Sequence, residues 1–237
     1  MNYIGSKNRL SSWIFQVVSE SVSLPLKELV FCDLFAGTGI VGRTFKPHVK
    51  KVIANDMEFY SYVLLKNYIG NHETFDFYPF LYDLNALERK KGMIFHEFSE
   101  NGKAGRLYFS EKNGQKIDAV RQQIELWKKA GKINDHCYFF LLTSLLESAD
   151  KVANTASVYG AFLKKIKASA KRPIYIEPAL FTETENSHEV YGEDANSLIN
   201  KISGDILYLD PPYNSRQYGA NYHLLNTITK YDTFVPK

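Results

Sequence analysis

Leu29-Val30-Phe31-Cys32-Asp33-Leu34-Phe35-Ala36-Gly37-Thr38-Gly39-Ile40-Val41-Gly42 begins as a continuous apolar run and ends in glycines. Apolar residues without polar alternation read as a strand buried on both faces, and the glycines read as a tight turn into a helix. A second run, Lys51-Val52-Ile53-Ala54-Asn55, ends at Asp56 and gives way to a helical pattern from Met57 through Tyr68. Strand, glycine turn, helix and strand in that order form a βαβ unit and predict a parallel sheet. Upstream, Asn8 to Ser21 carries Leu10, Trp13, Ile14, Val17 and Val18 at helical spacing, an amphipathic helix on whose apolar stripe Trp13 is expected in the core. Far downstream, Asp205-Ile206-Leu207-Tyr208-Leu209 reads as another buried strand that delivers Asp210-Pro211-Pro212-Tyr213 to its C-terminal end.

The middle of the chain has a different texture. Residues 71–116 are rich in aromatics, Gly and Asn without sustained periodicity. Ile117, Val120, Ile124 and Trp127 then mark a helix that stops at Gly131, and Asp135 is a candidate cap for a core helix carrying Phe139, Phe140, Leu142, Leu145 and Leu146. Pro173 to Pro178 is compatible with one short strand. The simplest organisation is one α/β domain, residues 1–70 and 185–237, interrupted by a mainly helical insertion over 71–184.

Composition bounds the class. The 237 residues are 45% hydrophobic, 23% charged and 14% aromatic, which excludes a disordered tail. No stretch approaches the roughly 18 apolar residues of a membrane span, and MNYIGSKNRL lacks the apolar run of a signal peptide, so a soluble, cytoplasmic chain is expected. Cys32 and Cys137 stand apart from each other and from any His cluster, so reduced buried thiols are expected rather than a disulfide or a metal site. The net charge of +3 hides an asymmetry: residues 151–180 hold six basic residues against one acid, net +5, and residues 181–210 hold seven acids against one base, net −6.

Gly37, Gly39 and Gly42 spell G-x-G-x-x-G after a predicted strand, and Asp56 closes the next strand 23 residues beyond Asp33. That spacing lets backbone approach a nucleotide-like ligand while the acid accepts from ribose hydroxyls. The glycines alone suit NAD equally well. Asp33 leans the other way, because a carboxylate repels a pyrophosphate and suits the ammonium of a zwitterionic ligand. In Asp210-Pro211-Pro212-Tyr213 two prolines fix φ and remove donors, so the chain stops its strand in a rigid bend. Such a bend offers Asp210 as an acceptor, prolyl carbonyls and the flat face of Tyr213, which together match an exocyclic amine on a planar base.

The combination of Asn2-Tyr3-Ile4-Gly5-Ser6-Lys7, Asp33-Leu34-Phe35-Ala36-Gly37-Thr38-Gly39 and Asp210-Pro211-Pro212-Tyr213 resembles the D12 class of S-adenosylmethionine-dependent DNA adenine-N6 methyltransferases, over about residues 1–70 and 185–230. The resemblance implies a Rossmann-like methyltransferase sheet with a target-recognition insertion, and double-stranded DNA as partner within a restriction–modification system. It implies Tyr3 and Lys7 near the methionine end of S-adenosylmethionine, with Lys7 a partner for its carboxylate. Asp33, Phe35, Ala36, Gly37 and Gly39 would shape that end, Asp56 would hold the ribose and Asp194 the cofactor's adenine. Asp210 and the Pro211 carbonyl would bind the target N6 within the rigid Pro211-Pro212 bend, and Tyr213 would stack on a base flipped from the duplex. No metal is implied. Lys151, Lys164, Lys165, Lys167, Lys171 and Arg172 suit DNA phosphates or, equally, a solvated helix face.

Three other readings stay open on the residues: an RNA adenine methyltransferase, a NAD-dependent oxidoreductase, and a non-catalytic chain that needs a partner. The methyltransferase fold implied by the resemblance places further strands after the one ending in Asp210, whereas Asn214 to Lys237 is long enough for one helix, such as Tyr222 to Tyr231. The expectation is therefore a sheet whose C-terminal strands are absent, come from a partner chain or second copy, or are supplied by the insertion in another order.

Overall fold

The computed structural model describes residues 6–156, 159–211 and 221–232. Along the chain run α1 (Ser11–Ser21), β1 (Val30–Asp33), α2 (Ile40–Phe45), β2 (Lys51–Asn55), α3 (Phe59–Leu65), α4 (Tyr78–Ala86) and α5 (Met93–Phe98). Then follow α6 (Glu111–Lys129), α7 (Asp135–Lys151), α8 (Ala168–Lys171), β3 (Glu189–Tyr191), α9 (Ala195–Leu198), β4 (Ile206–Tyr208) and α10 (His223–Lys230). The described residues divide into two compact units, one from 6–75 with 180–211 and one from 76–179 with 221–232.

In the first unit the four strands form one parallel sheet in the order β3-β2-β1-β4, as the βαβ pattern requires. Asp33 pairs with Ala54 on one side and Tyr208 on the other. Its core centres on Phe31, whose ring stacks on Phe45 of α2 with centroids 4.0 Å apart and planes 8° apart. Val41, Val52, Ala54, Leu65 and Ile69 belong to the same cluster, and burying each of its Val, Leu and Ile side chains contributes about 1.5–3 kcal/mol relative to leaving it exposed. After Leu65 the helix continues as a π-helical turn, Lys66–Gly70. Its end is held by the buried Lys46 ammonium, which donates to the carbonyls of Tyr68, at 3.1 Å, and Asn71.

Two sequence expectations fail here. Trp13 is not core: it is 60% exposed, because α1 meets the sheet through Ile14, Phe15 and Val18, with Phe15 packed on Phe45 and His48. β4 is not a buried strand. Among the described residues it pairs only with β1, and Leu207 and Leu209 are half exposed because no described element covers them.

The second unit is helical, built on α6 and α7 with Ile117, Val120, Ile124, Trp127, Phe140, Leu142 and Leu145 buried. Asp118 caps α5 by accepting from the amides of Gly92, Ile94 and Phe95, and it also accepts from the Tyr231 hydroxyl at 2.5 Å. Buried Arg121 donates to the carbonyls of Ile228, at 3.1 Å, and Thr229, at 2.9 Å, satisfying the C-terminal end of α10. Asn134, not Asp135, caps α7. Residues 173–178 form no strand. Their amides instead bond side chains: Ile174 to Asn113, Ile176 to Asn85 and Glu177 to Ser148. Cys32 and Cys137 are buried and free. No described helix is long and apolar enough to cross a membrane.

Candidate active site

Within the sheet-bearing unit, the chemistry-bearing residues collect at the carboxyl ends of the strands. β2 and β3 lie on one side of β1 and β4 on the other, so the chain reverses direction of travel across the sheet between β1 and β4. Open parallel sheets bind ligands at such a switch point. Asp33 ends β1, and Asp210 lies two residues beyond Tyr208, its partner on β4.

The glycine turn is pinned at both ends. The Ala36 amide donates to the Asn55 carbonyl at 2.9 Å, the Gly39 amide to the Ala36 carbonyl at 2.8 Å, and the Gly37 amide to the Asp56 carboxylate at 2.8 Å. Gly37 and Gly39 adopt φ of 54° and 75°, a left-handed conformation that costs a side chain about 1–2 kcal/mol. At Gly39 a Cβ would also sit 2.7 Å from the Leu65 side chain.

Asp33 is 1% exposed and its Oδ1 has no hydrogen-bond partner among the described residues. Burial, followed by the charge of Asp56, pushes its carboxyl up to about 7, with Asp210 adding to the rise and the amides of Phe35 and Gly42 leaning the other way. Burial likewise pushes Asp56 up to about 6, although its two oxygens accept from the amides of Gly37 and Glu58. Carboxyls held so far above their ordinary range mark a site that favours a cation arriving from outside.

Lys7 forms an ion pair with Asp210, so the structure brings it to the acid of the proline bend rather than leaving it in solvent. Tyr208 lies beside them; its ring stacks on Phe31 at 6.2 Å, and burial together with Asp210 and Asp33 pushes its hydroxyl up to about 12. Asp194 is exposed and caps α9, its Oδ1 accepting from the Ser197 amide at 3.1 Å. Phe35 and Ala36 are half-buried in the turn, and Pro211 is exposed. Tyr3, Pro212 and Tyr213 lie outside the described residues, as do Asn214 to Tyr218.

Asn55 escaped sequence reading. It is buried, donates to the carbonyls of Leu34 and Glu193, and accepts from the Glu193 amide at 2.9 Å, clamping the 193–194 segment against the end of β2. A buried amide at a strand end just before an acid was its only signal. Of the basic residues, Lys151 pairs with Glu177 and Lys167 donates to the Thr155 carbonyl. Lys171 instead lines a groove of about 1230 Å³ in the helical unit with Arg89, Lys112 and Lys116, among acids that include Glu88 and Glu111.

A family model described as D12 class N6 adenine-specific DNA methyltransferase matches residues 3–236. The chain belongs to this family. It is 59% identical to the type II methyltransferase M.NlaIII of Neisseria lactamica, over the whole chain and 71% of that protein. It is 40% identical to M.CviAII of Paramecium bursaria Chlorella virus 1, over 96% of the chain and 68% of that protein. To M.FokI of Planomicrobium okeanokoites it is 39% identical over 98% of the chain, but spans only 37% of that relative's length. No solved structure matches the chain significantly. The D12 assignment accounts for the Rossmann-like sheet and removes the oxidoreductase reading, since the same glycine turn here belongs to a methyltransferase.

Proposed function

We propose that this chain methylates the N6 amine of an adenine flipped out of double-stranded DNA, taking the methyl group from S-adenosylmethionine, as the modification enzyme of a cytoplasmic restriction–modification system. The observation that carries the reading is the convergence of Asp33, Asp56 and Asp210 at the carboxyl ends of neighbouring strands around the glycine turn. S-adenosylmethionine supplies a methyl group on a sulfonium, an electrophile that needs no further activation. The residues fit it: a buried Asp33 oxygen with no partner among the described residues suits an ammonium, and the neighbouring acids Asp56 and Asp210 suit a ligand carrying positive charge.

On this reading Asp33 and the Phe35-Gly39 turn bind the methionine end, Asp56 orients the ribose, and Asp194 stands near the cofactor's adenine. Asp210 and the Pro211 carbonyl accept the two hydrogens of N6, drawing its lone pair out of conjugation with the ring, while Tyr213 stacks on the base. Positioning and fixed charges carry the catalysis, with no covalent intermediate on the protein. Lys171, Arg89 and Lys112 supply cations for DNA phosphates along the groove. The half-exposed Leu207 and Leu209 suit coverage by a partner chain or second copy.

The test is incubation of the purified chain with methyl-labelled S-adenosylmethionine and matched duplex DNA and RNA, followed by mapping of the modified base. Label at N6 of adenine in duplex DNA is expected. Label in RNA alone, or no transfer by the chain by itself, would count against it.

A further inference from the structure

The ion pair between Lys7 and Asp210 joins residues 203 positions apart in sequence, and it sets the acceptor of the proline bend beside a cation. Side-chain exposures of 20% for Lys7 and 28% for Asp210 leave the pair partly shielded, where opposite charges interact more strongly than at an open surface. The surroundings make that cation matter. Asp210 is faced by the carboxyl of Asp33 from β1 and by the Tyr208 hydroxyl from β4, and both of these groups feel its negative charge. Lys7, from the segment before α1, is the cation that the described residues place against Asp210. Without it the Asp210 side chain would lose the partner that fixes its orientation, and its lone pairs would no longer be held where the adenine amine needs an acceptor.

We propose that Lys7 is a positioning residue for Asp210, which holds the carboxylate aimed so that its remaining lone pairs accept from the adenine amine, rather than a ligand for the cofactor's carboxylate. The inference rests on the adenine-N6 reading above. The division of labour follows from the groups themselves. A lysine ammonium carries donors only, so it cannot compete for the amine's hydrogens, and it contacts Oδ2 while a carboxylate has about four acceptor positions in all.

The experiment compares the wild type with Lys7→Met, Lys7→Arg, Asp210→Asn and the Lys7→Met/Asp210→Asn double variant, each checked by thermal melting. S-adenosylmethionine affinity is measured by calorimetry, and kcat and KM are measured on duplex DNA. Lys7→Met is expected to bind the cofactor within about threefold of wild type and to lose kcat by about tenfold or more, with KM for DNA within about threefold. Lys7→Arg should recover most of the activity. The double variant should be no slower than Asp210→Asn, because the two residues act as one unit. Cofactor affinity lost in step with activity, no recovery of kcat in Lys7→Arg, or losses that multiply in the double variant would each overturn the proposal. A wild type that methylates no adenine would bring down the functional reading itself, whereas wild-type methylation with any of those three results would sink only the role of Lys7.

Discussion

The amide of Gly37 donates to the Asp56 carboxylate at 2.8 Å, so the acid at the end of β2 holds the glycine turn that follows β1. One residue thereby holds two segments, the glycine turn and the chain entering α3. Asp56→Ala removes an acceptor from the amides of both Gly37 and Glu58. It should lower stability by about 1–3 kcal/mol and weaken S-adenosylmethionine binding, with a smaller effect on DNA affinity. Urea unfolding and calorimetry check both, and unchanged cofactor affinity would remove Asp56 from the site.

Gly39→Ala should be more damaging than its size suggests. The new Cβ would occupy a φ of 75° and press on Leu65, which is fully buried and has little room to turn away. A loss of about 1–3 kcal/mol is expected, together with reduced cofactor binding. A thermal melt and a binding isotherm both matching the wild type would contradict this account of the turn.

The raised carboxyls predict proton release. Between the usual carboxylate range and about pH 7, folded Asp33 holds a proton that the unfolded chain has given up, so its contribution to folding stability is present at low pH and lost as pH rises through about 7. A cation bound beside it reverses the preference. Binding of S-adenosylmethionine should therefore strengthen from pH 5.5 to 8 and release protons, with Asp56, near 6, adding to the lower part of that window. Calorimetric heats that do not differ between buffers of different ionisation enthalpy would refute it, and Asp33→Asn should flatten the dependence.

Asp210→Asn keeps the size of the side chain but removes its charge and the ion pair with Lys7. Methyl transfer should fall by at least about a hundredfold while cofactor affinity stays within about threefold, since Asp210 is assigned to the target amine. Single-turnover assays with calorimetry separate the two quantities.

In the helical unit, Arg121→Met should cost about 1–3 kcal/mol by stranding the carbonyls of Ile228 and Thr229 at the end of α10. Trp13→Ser should stay within about 0.5 kcal/mol, because that indole is mostly in solvent. Urea midpoints distinguish these outcomes directly.

The sheet was legible because its signals are local. Lys51–Asn55 is as long and as apolar as a strand buried on both faces, and a G-x-G turn admits few conformations. The second unit was harder to read, since Asn85, Asn113 and Ser148 replace a regular hydrogen-bond ladder with side-chain contacts from distant helices. Such contacts leave no period in the sequence.

Composition and motif order alone determined an α/β sheet, a glycine turn with its acid, and a D12-like set of motifs. Only the tertiary structure decided what each charge faces. Burial set Asp33 and Asp56 apart from ordinary surface acids, the edge position of β4 left Leu207 and Leu209 in solvent, and parallel pairing of β1 with β4 brought Asp210 to the Asp33 end of the sheet, where Lys7 meets it. Hydrophobic period is written along the chain. Electrostatics depends on distance and desolvation, which exist only after the chain has folded.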